Sequence, residues 1–231
     1  DSRVPVTDLG HHLNDISKRF LPRQQALSLS NTSCAFRVAL QLGLPRIVQW
    51  LSAAGIQLES PTSSLDDIPS LTLEQIASLY QGLARGGVRR KPYLIEKITN
   101  AYNEVMYQAQ VEAGDRILDP LIAQHMTLTL QSATRDGIGR SLAVDHAFTQ
   151  PIASMTGRSP KNRDAWFVGY TPELVGALWV GYDQPRSITD GPVIRNVAIP
   201  LWATAMGEVI RQVPPGASFG IPNQQIGRAH V

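Results

Sequence analysis

The stretch from Ile152 to Asp183 reads IASMTGRSPKNRDAWFVGYTPELVGALWVGYD, and it narrows the possible folds of this chain more than any other. Trp166, Val168, Trp179 and their neighbours favour extended backbone, while Thr171, Pro172 and Glu173 have turn chemistry between two apolar runs. The pattern predicts three strands over 152–157, 165–170 and 174–181, with a polar loop after the first and a tight turn after the second. Such an antiparallel unit is stable only when its apolar surface is covered, so the flanking segments must supply the cover.

Those segments carry helical signals. Pro22 suits a first-turn position, and a helix from there to Gly43 is apolar on most sides through Ala26, Leu27, Phe36, Val38 and Leu42, the pattern of a central buried helix. Pro45 opens a second helix with Ile47, Val48, Leu51 and Ala54 on one face and Gly55 at its end. Residues 58–70 form a Ser/Pro/Asp-rich loop. Thr72 and Gln75 have capping-box spacing ahead of an Ile76, Leu79, Leu83 stripe, stopped by Gly86 and Gly87. Residues 93–99 and 104–110 predict a small hairpin. Asp119 and Pro120 start a helix whose Ile122, Met126, Leu130 and Ala133 share a stripe ending by Gly137. A last helix begins at Pro200, with Leu201, Trp202, Ala205 and Val209 on one side, and stops at Pro214. Helices, then a compact antiparallel hairpin, then a closing helix indicate an α+β fold, without internal repeats.

A 231-residue chain with 43% hydrophobic residues can bury a proper core. A net charge of +2 is too small to argue for nucleic acid, and the densest basic cluster, GGVRRKP over 86–92, has the character of a solvated turn. Cys34 is the single cysteine, so no internal disulfide can form, and its apolar surroundings predict an inert thiol. No apolar run reaches membrane-spanning length and no segment has signal-peptide character. His11 and His12 stand near Asp15, but in a polar, weakly patterned stretch, and His125 lies on a structural helix, so no metal or organic cofactor is expected. Residues 1–215 are expected to form one partial domain and 216–231 an irregular tail, of which 226–231 (IGRAHV) reads like a translated sequencing adapter. The start at Asp1 has the character of a processed piece or fragment.

The 152–183 block closely resembles the C-terminal strands of class A penicillin-binding proteins, with 164–183 the most specific part. The likeness extends further. QALSLSNTSCAFRVALQLGL over 25–44 resembles the family's second-motif helix, LEQIASLYQGLARGGVRRKPY over 73–93 its helix and glycine turn before a hairpin, DGIGR over 136–140 its Gly-rich segment, and PLWATAM over 200–206 its closing helix. It implies the penicillin-binding protein/serine β-lactamase-like fold, an antiparallel sheet packed with helices, with the N-terminal part missing. In that family an S-x-x-K serine attacks the penultimate D-alanine carbonyl of a peptidoglycan stem peptide, and β-lactams acylate the same serine. A second-motif serine relays protons and a Lys-Thr-Gly strand holds the substrate carboxylate.

Measured against that pattern, the chain departs at each motif. Its four lysines are Lys18, Lys91, Lys97 and Lys161, and three residues before them stand Asp15, Val88, Leu94 and Arg158, so no S-x-x-K exists. No asparagine has a serine or tyrosine two residues earlier; the matching second-motif positions are Ser30, Asn31 and Thr32, with threonine in place of asparagine. The third motif reads Met155-Thr156-Gly157-Arg158. The nucleophile helix lies upstream of the second motif in the family, so a fragment would lack it regardless. Methionine supplies neither a positive charge nor a proton donor. The resemblance thus implies a transpeptidase-like domain of cell-wall synthesis with a decayed site: degenerate positions Ser30, Thr32 and Met155, and substrate-binding positions Thr156, Gly157 and Arg158. Simpler readings stand beside these. Ser30 would satisfy a helical carbonyl, Thr156 and Gly157 would allow close packing against a helix, Arg158 would be a solvated strand end, and Asp164 would position the loop. The partners implied are a stem peptide or β-lactam, or an envelope protein, in the periplasm or cell envelope. Two alternatives stay open: a fragment of an active transpeptidase with divergent motifs, and a non-catalytic envelope interaction module.

Overall fold

The computed structural model describes residues 23–28, 30, 32–57, 71–146, 148, 150–184, 186–188, 197–213 and 219. The first twenty residues with His11, His12 and Asp15, the 58–70 loop, Asn31 and the 220–231 tail lie outside the described residues, as do the side chains of Thr32, Cys34 and Phe36.

A three-stranded antiparallel sheet sits at the centre: β5 (Ala153–Arg158), β6 (Asp164–Tyr170) and β7 (Val175–Gly181), in the order β5-β6-β7. The register pairs Met155 with Val168, Gly157 with Trp166, and Trp166 in turn with Trp179. The β6–β7 turn closes as its residues predict: the Thr171 hydroxyl accepts from the Glu173 and Leu174 amides at 3.3 and 3.1 Å. Strands that present apolar residues in both phases of the pleat must be covered twice. One side is met by α7 (Ala198–Gln212) with α6 (Ser141–His146), the other by α4 (Leu73–Ala84) and α5 (Pro120–Asp136).

Trp202 organises the α7 side. It is buried, its indole N–H donates to the Gly176 carbonyl at 2.8 Å, and its ring meets Phe167 edge-on at 5.1 Å. A side chain at Gly169 or Gly176 would collide with that indole, so the glycines in both strands make room for the helix. The buried face of α7 is Ile199, Trp202, Ala203, Gly207 and Ile210. This corrects the expected stripe: only Trp202 of that set is buried, while Leu201, Ala205 and Val209 are exposed, and the helix begins two residues before Pro200.

On the other side α4 begins with the predicted capping box. The Gln75 amide donates to the Thr72 hydroxyl at 3.1 Å and the Thr72 amide to the Gln75 side chain at 2.8 Å. Gly86 and Gly87, at φ 64° and 92°, end the helix region as expected. In α5 the Asp119 carboxylate accepts from the Leu121 amide at 2.8 Å. Its buried stripe is Ala123, Thr127, Leu130 and Ala133, one position round from the predicted one at its start, because Ile122 is 53% exposed.

The expected continuous helix from Pro22 to Gly43 is two helices, α1 (Arg23–Ser28) and α2 (Thr32–Leu42). Ser30, in left-handed conformation at φ 53°, separates them. Nor is α2 centrally buried: Leu40 and Leu42 are 60% and 50% exposed, and it packs on α1 and on α3 (Leu44–Ala53). The smaller β-structure consists of β1 (Val88–Arg89) paired with β4 (Asp115–Arg116), which the sequence did not suggest, and the predicted hairpin as a shorter pair, β2 (Lys97–Thr99) and β3 (Val105–Gln108). Helix α6 was likewise not foreseen. The architecture is α+β, as expected.

Candidate functional site

Strand β5 has β6 on one side and no strand partner on the other among the described residues. It lines a cleft of about 720 Å³ between α4 and the sheet, together with Leu71–Leu73, Ile76, Tyr80, Ser159, Asp164, Trp166, Val168 and Trp179. All four third-motif positions, Met155, Thr156, Gly157 and Arg158, belong to that lining. Pleat alternation places Met155 and Gly157 on the same face as Val168, Trp166 and Trp179.

Met155 is half-buried and packs against the cluster of Leu130, Ala153 and Tyr170, which also gathers Leu27, Tyr80, Leu83 and Val175. A thioether is at home there; an ammonium would forfeit hydration without gaining an anionic partner. The Tyr170 hydroxyl nearby is already occupied. The Tyr170 hydroxyl lies 2.9 Å from the Thr127 hydroxyl, and the Tyr80 and Tyr170 rings meet edge-on at 6.1 Å. Burial pushes the Tyr80 phenol up to about 12. It drives the Tyr170 phenol higher still, with Tyr80 adding to the rise.

Gly157 is tight for a reason other than the one the sequence suggested. A Cβ there would lie 3.2 Å from the Trp166 Cβ, so the close approach is to the neighbouring strand and not to a helix. Thr156 pairs with Phe167 across the ladder. Arg158, the last residue of β5, is exposed, and its guanidinium has no hydrogen-bond or ion-pair partner among the described residues. Beyond it the chain turns through Lys161 and Asn162, both left-handed at φ 60° and 51°, leaving Lys161 and Arg163 exposed. Asp164 closes this loop. Its amide donates to the Ser159 hydroxyl at 2.9 Å, and its carboxylate accepts the Trp179 indole N–H at 2.9 Å. Of the three cations within these six residues, Arg158 lines the cleft, beside a single carboxylate already engaged.

The second-motif positions fall elsewhere. Ser30 does not line the cleft; its amide donates to the Leu27 carbonyl at 2.9 Å, and its hydroxyl, against the simpler expectation, bonds no helical carbonyl among the described residues. Thr32 is the first residue of α2. This segment is tied to the β5 end of the molecule through the DGIGR residues: the Ile138 amide donates to the Ser28 carbonyl at 3.3 Å, a side chain at Gly137 would run into that carbonyl, and Gly139 packs against the Ser154 hydroxyl. Among the described residues no group of three or more His, Cys, Asp or Glu is placed to hold a metal ion, and no helix is long and apolar enough to cross a membrane.

Sequence reasoning did not include Tyr80, Ile76, Trp166 and Trp179 in the site. The tryptophans were within reach: a tight turn centred on Pro172 and Glu173 fixes Trp166 opposite Trp179 by counting. The docking of α4 over β6 and β7 leaves no such local mark.

A family model described as the penicillin binding protein transpeptidase domain matches residues 10–195. Penicillin-binding protein 1A of Neisseria flavescens is 28% identical over 199 residues, covering 83% of this chain and 25% of the relative. That of Pseudomonas aeruginosa is 26% identical over 247 residues, covering 84% and 30%. The chain thus spans a quarter to three tenths of the length of these curated relatives. Among solved structures, penicillin-binding protein 1A from Haemophilus influenzae superposes with a TM-score of 0.77 at 20% identity, over 87% of this chain and 36% of that one. Penicillin-binding protein A from M. tuberculosis, solved as an imipenem acyl-enzyme complex, gives 0.66 at 17% identity, over 81% and 47%. At these identities the structural likeness establishes a shared fold.

Proposed function

This chain belongs to the penicillin-binding protein transpeptidase domain family, and from that premise we propose that it serves peptidoglycan synthesis as a class A-type transpeptidase-like domain that binds peptide without being acylated. The observation that carries this reading is Met155. At the position where the family's third motif has its lysine stands a neutral thioether, packed on Leu130, Ala153 and Tyr170. Acyl transfer on this scaffold needs a cation at that point, and loss of one electrostatic donor in comparable sites lowers rates by about 10²–10³-fold. Thr32 in place of the second-motif asparagine is a second, independent departure. Thr156, Gly157 and Arg158 remain as the binding positions, with the Arg158 fork suited to a peptide carboxylate. Residues 1–215 act as one partial domain in this reading, with 216–231 apart from it. The ligand is a stem peptide or an envelope protein, and the place of action is the periplasmic side of the cell envelope.

The test is acylation. The complete gene product is exposed to a fluorescent penicillin and its intact mass is measured. We expect no covalent adduct, and none when excess ampicillin is held for hours. A stable adduct on a serine would overturn the reading in favour of an active transpeptidase with divergent motifs.

A further inference from the structure

The hairpin of β2 and β3 holds its apolar residues out in solvent. We propose that this hairpin, with the basic legs that carry it, is a peripheral binding surface for an anionic lipid bilayer. Leu94, Tyr102 and Met106 enter the interfacial layer, and Arg85, Arg90 and Lys91 meet headgroup phosphates. The surface shares no residue with the β5 cleft and does not depend on the preceding reading.

Exposure is the first argument. Leu94 is fully exposed and Tyr102 is 85% exposed, and Tyr93, Ile95, Met106 and Val111 are also open to solvent. So many large apolar residues on one short projection mark a protein or membrane contact. Strands β2 and β3 pack chiefly on each other, and a two-stranded hairpin alone is marginal in water. The two faces decide between those partners. Ile98 pairs with Tyr107, and the next pair, Thr99 with Val105, points the opposite way, so exposed apolar groups stand on both faces. A folded partner would cover one face, whereas the interfacial layer of a bilayer surrounds both, and tyrosine is suited to that layer.

Charge is the third argument. Arg85, Arg89, Arg90 and Lys91 follow one another with no acid from 85 to 95, and Arg116 joins them. They gather where the legs leave the body. The Arg90 Nε–H donates to the Ala113 carbonyl at 3.3 Å, and the Arg116 guanidinium to the Gly86 carbonyl at 3.4 Å. None of these cations has an ion-pair partner among the described residues. Over 85–116 six cations stand against four acids, and of the acids Glu104 is engaged by the Asn100 amide at 2.6 Å. The GGVRRKP run, a solvated turn by composition, thus leads directly into the exposed 93–95 stretch. Basic and apolar groups side by side draw proteins to anionic lipid.

The experiment sediments the intact 231-residue protein with vesicles of phosphatidylglycerol and phosphatidylcholine in equal parts, and with phosphatidylcholine alone. We expect binding to the mixed vesicles that weakens steeply as salt is raised, and about tenfold weaker binding to phosphatidylcholine. Lys91→Glu should lower affinity for the mixed vesicles about tenfold by removing the charge match, and Leu94→Ser about tenfold by removing inserted apolar surface. Leu94→Ser should leave the salt dependence as it was. Both side chains are exposed, so the thermal unfolding of the variants should match the parent's. Soluble glycerol phosphate at the same phosphate concentration should not displace the protein. No sedimentation with mixed vesicles, equal binding to both vesicle types, full affinity in either variant, or displacement by free glycerol phosphate would each overturn the proposal. So would self-association that Leu94→Ser abolishes without any vesicle binding, which would assign the hairpin to a second copy of the chain. None of these outcomes bears on acylation by penicillin.

Discussion

Thr127 of α5 and Tyr170 at the end of β6 share a buried hydrogen bond of 2.9 Å, and its direction is fixed by a second bond. The Thr127 hydroxyl donates to the Ala123 carbonyl at 3.0 Å, and having only one proton it must accept from the Tyr170 phenol. The pair joins helix and sheet where Met155 packs. Tyr170→Phe should therefore cost about 1–2 kcal/mol in urea unfolding, the loss of one buried neutral hydrogen bond. Thr127→Val should cost more, because it strands the phenol in an apolar cluster. Equal stability of Thr127→Val and the parent would refute the assignment.

The same tyrosines predict alkaline behaviour. With the Tyr80 pKa raised to about 12 in the fold against 10.0 otherwise, the folded state holds its proton where the unfolded chain releases it. Stability from this group is complete below pH 10 and falls as pH rises toward 12, at about 1.4 kcal/mol per pH unit. Urea midpoints measured at pH 9 and pH 11 should separate accordingly, and Tyr80→Phe should flatten the difference.

Gly139 tests the tie between the segment after α5 and β5. A Cβ there would sit 2.8 Å from the Thr134 Cα and 2.9 Å from the Ser154 Oγ, and the backbone contact cannot rotate away. The Ser154 hydroxyl is itself bonded to Thr134 at 2.9 Å. Gly139→Ala is expected to destabilise by about 1–3 kcal/mol, the usual range for overpacking. Thermal unfolding provides the check; an unchanged midpoint would mean the segment gives way.

Met155→Lys probes whether a vacant cation site persists. Lodged against Leu130, Ala153 and Tyr170, an ammonium would lose hydration in apolar surroundings. We expect about 1–3 kcal/mol of destabilisation, and less for Met155→Leu. A stabilising or neutral lysine would show that the polar pocket of the family survives there.

The features legible in the sequence were those set by short-range chemistry. Thr72 and Gln75 specify a helix start because their side chains satisfy amides three residues away, and Asp119 does the same for α5. The strand block announced itself through alternation and turn residues, and Met155-Thr156-Gly157 could be matched to a motif by eye. Helix faces were less legible. In α7 the apolar residues run nearly all round, so periodicity could not choose between Leu201 and Ile199; contact with Gly169 and Gly176 made the choice. In the 22–43 stretch helical composition hid the break at Ser30, whose left-handed backbone has no strong composition mark.

By itself the sequence determined the family, the α+β class, the three strands, and the absence of a lysine at position 155. Tertiary structure alone decided that Met155 rests on an apolar cluster, that Arg158 stands exposed at the end of a cleft, and that Trp179 engages Asp164. The division follows the range of the forces: capping, turns and pleat alternation act over a few residues of chain, whereas the surroundings of a side chain depend on helices that approach from distant parts of the chain.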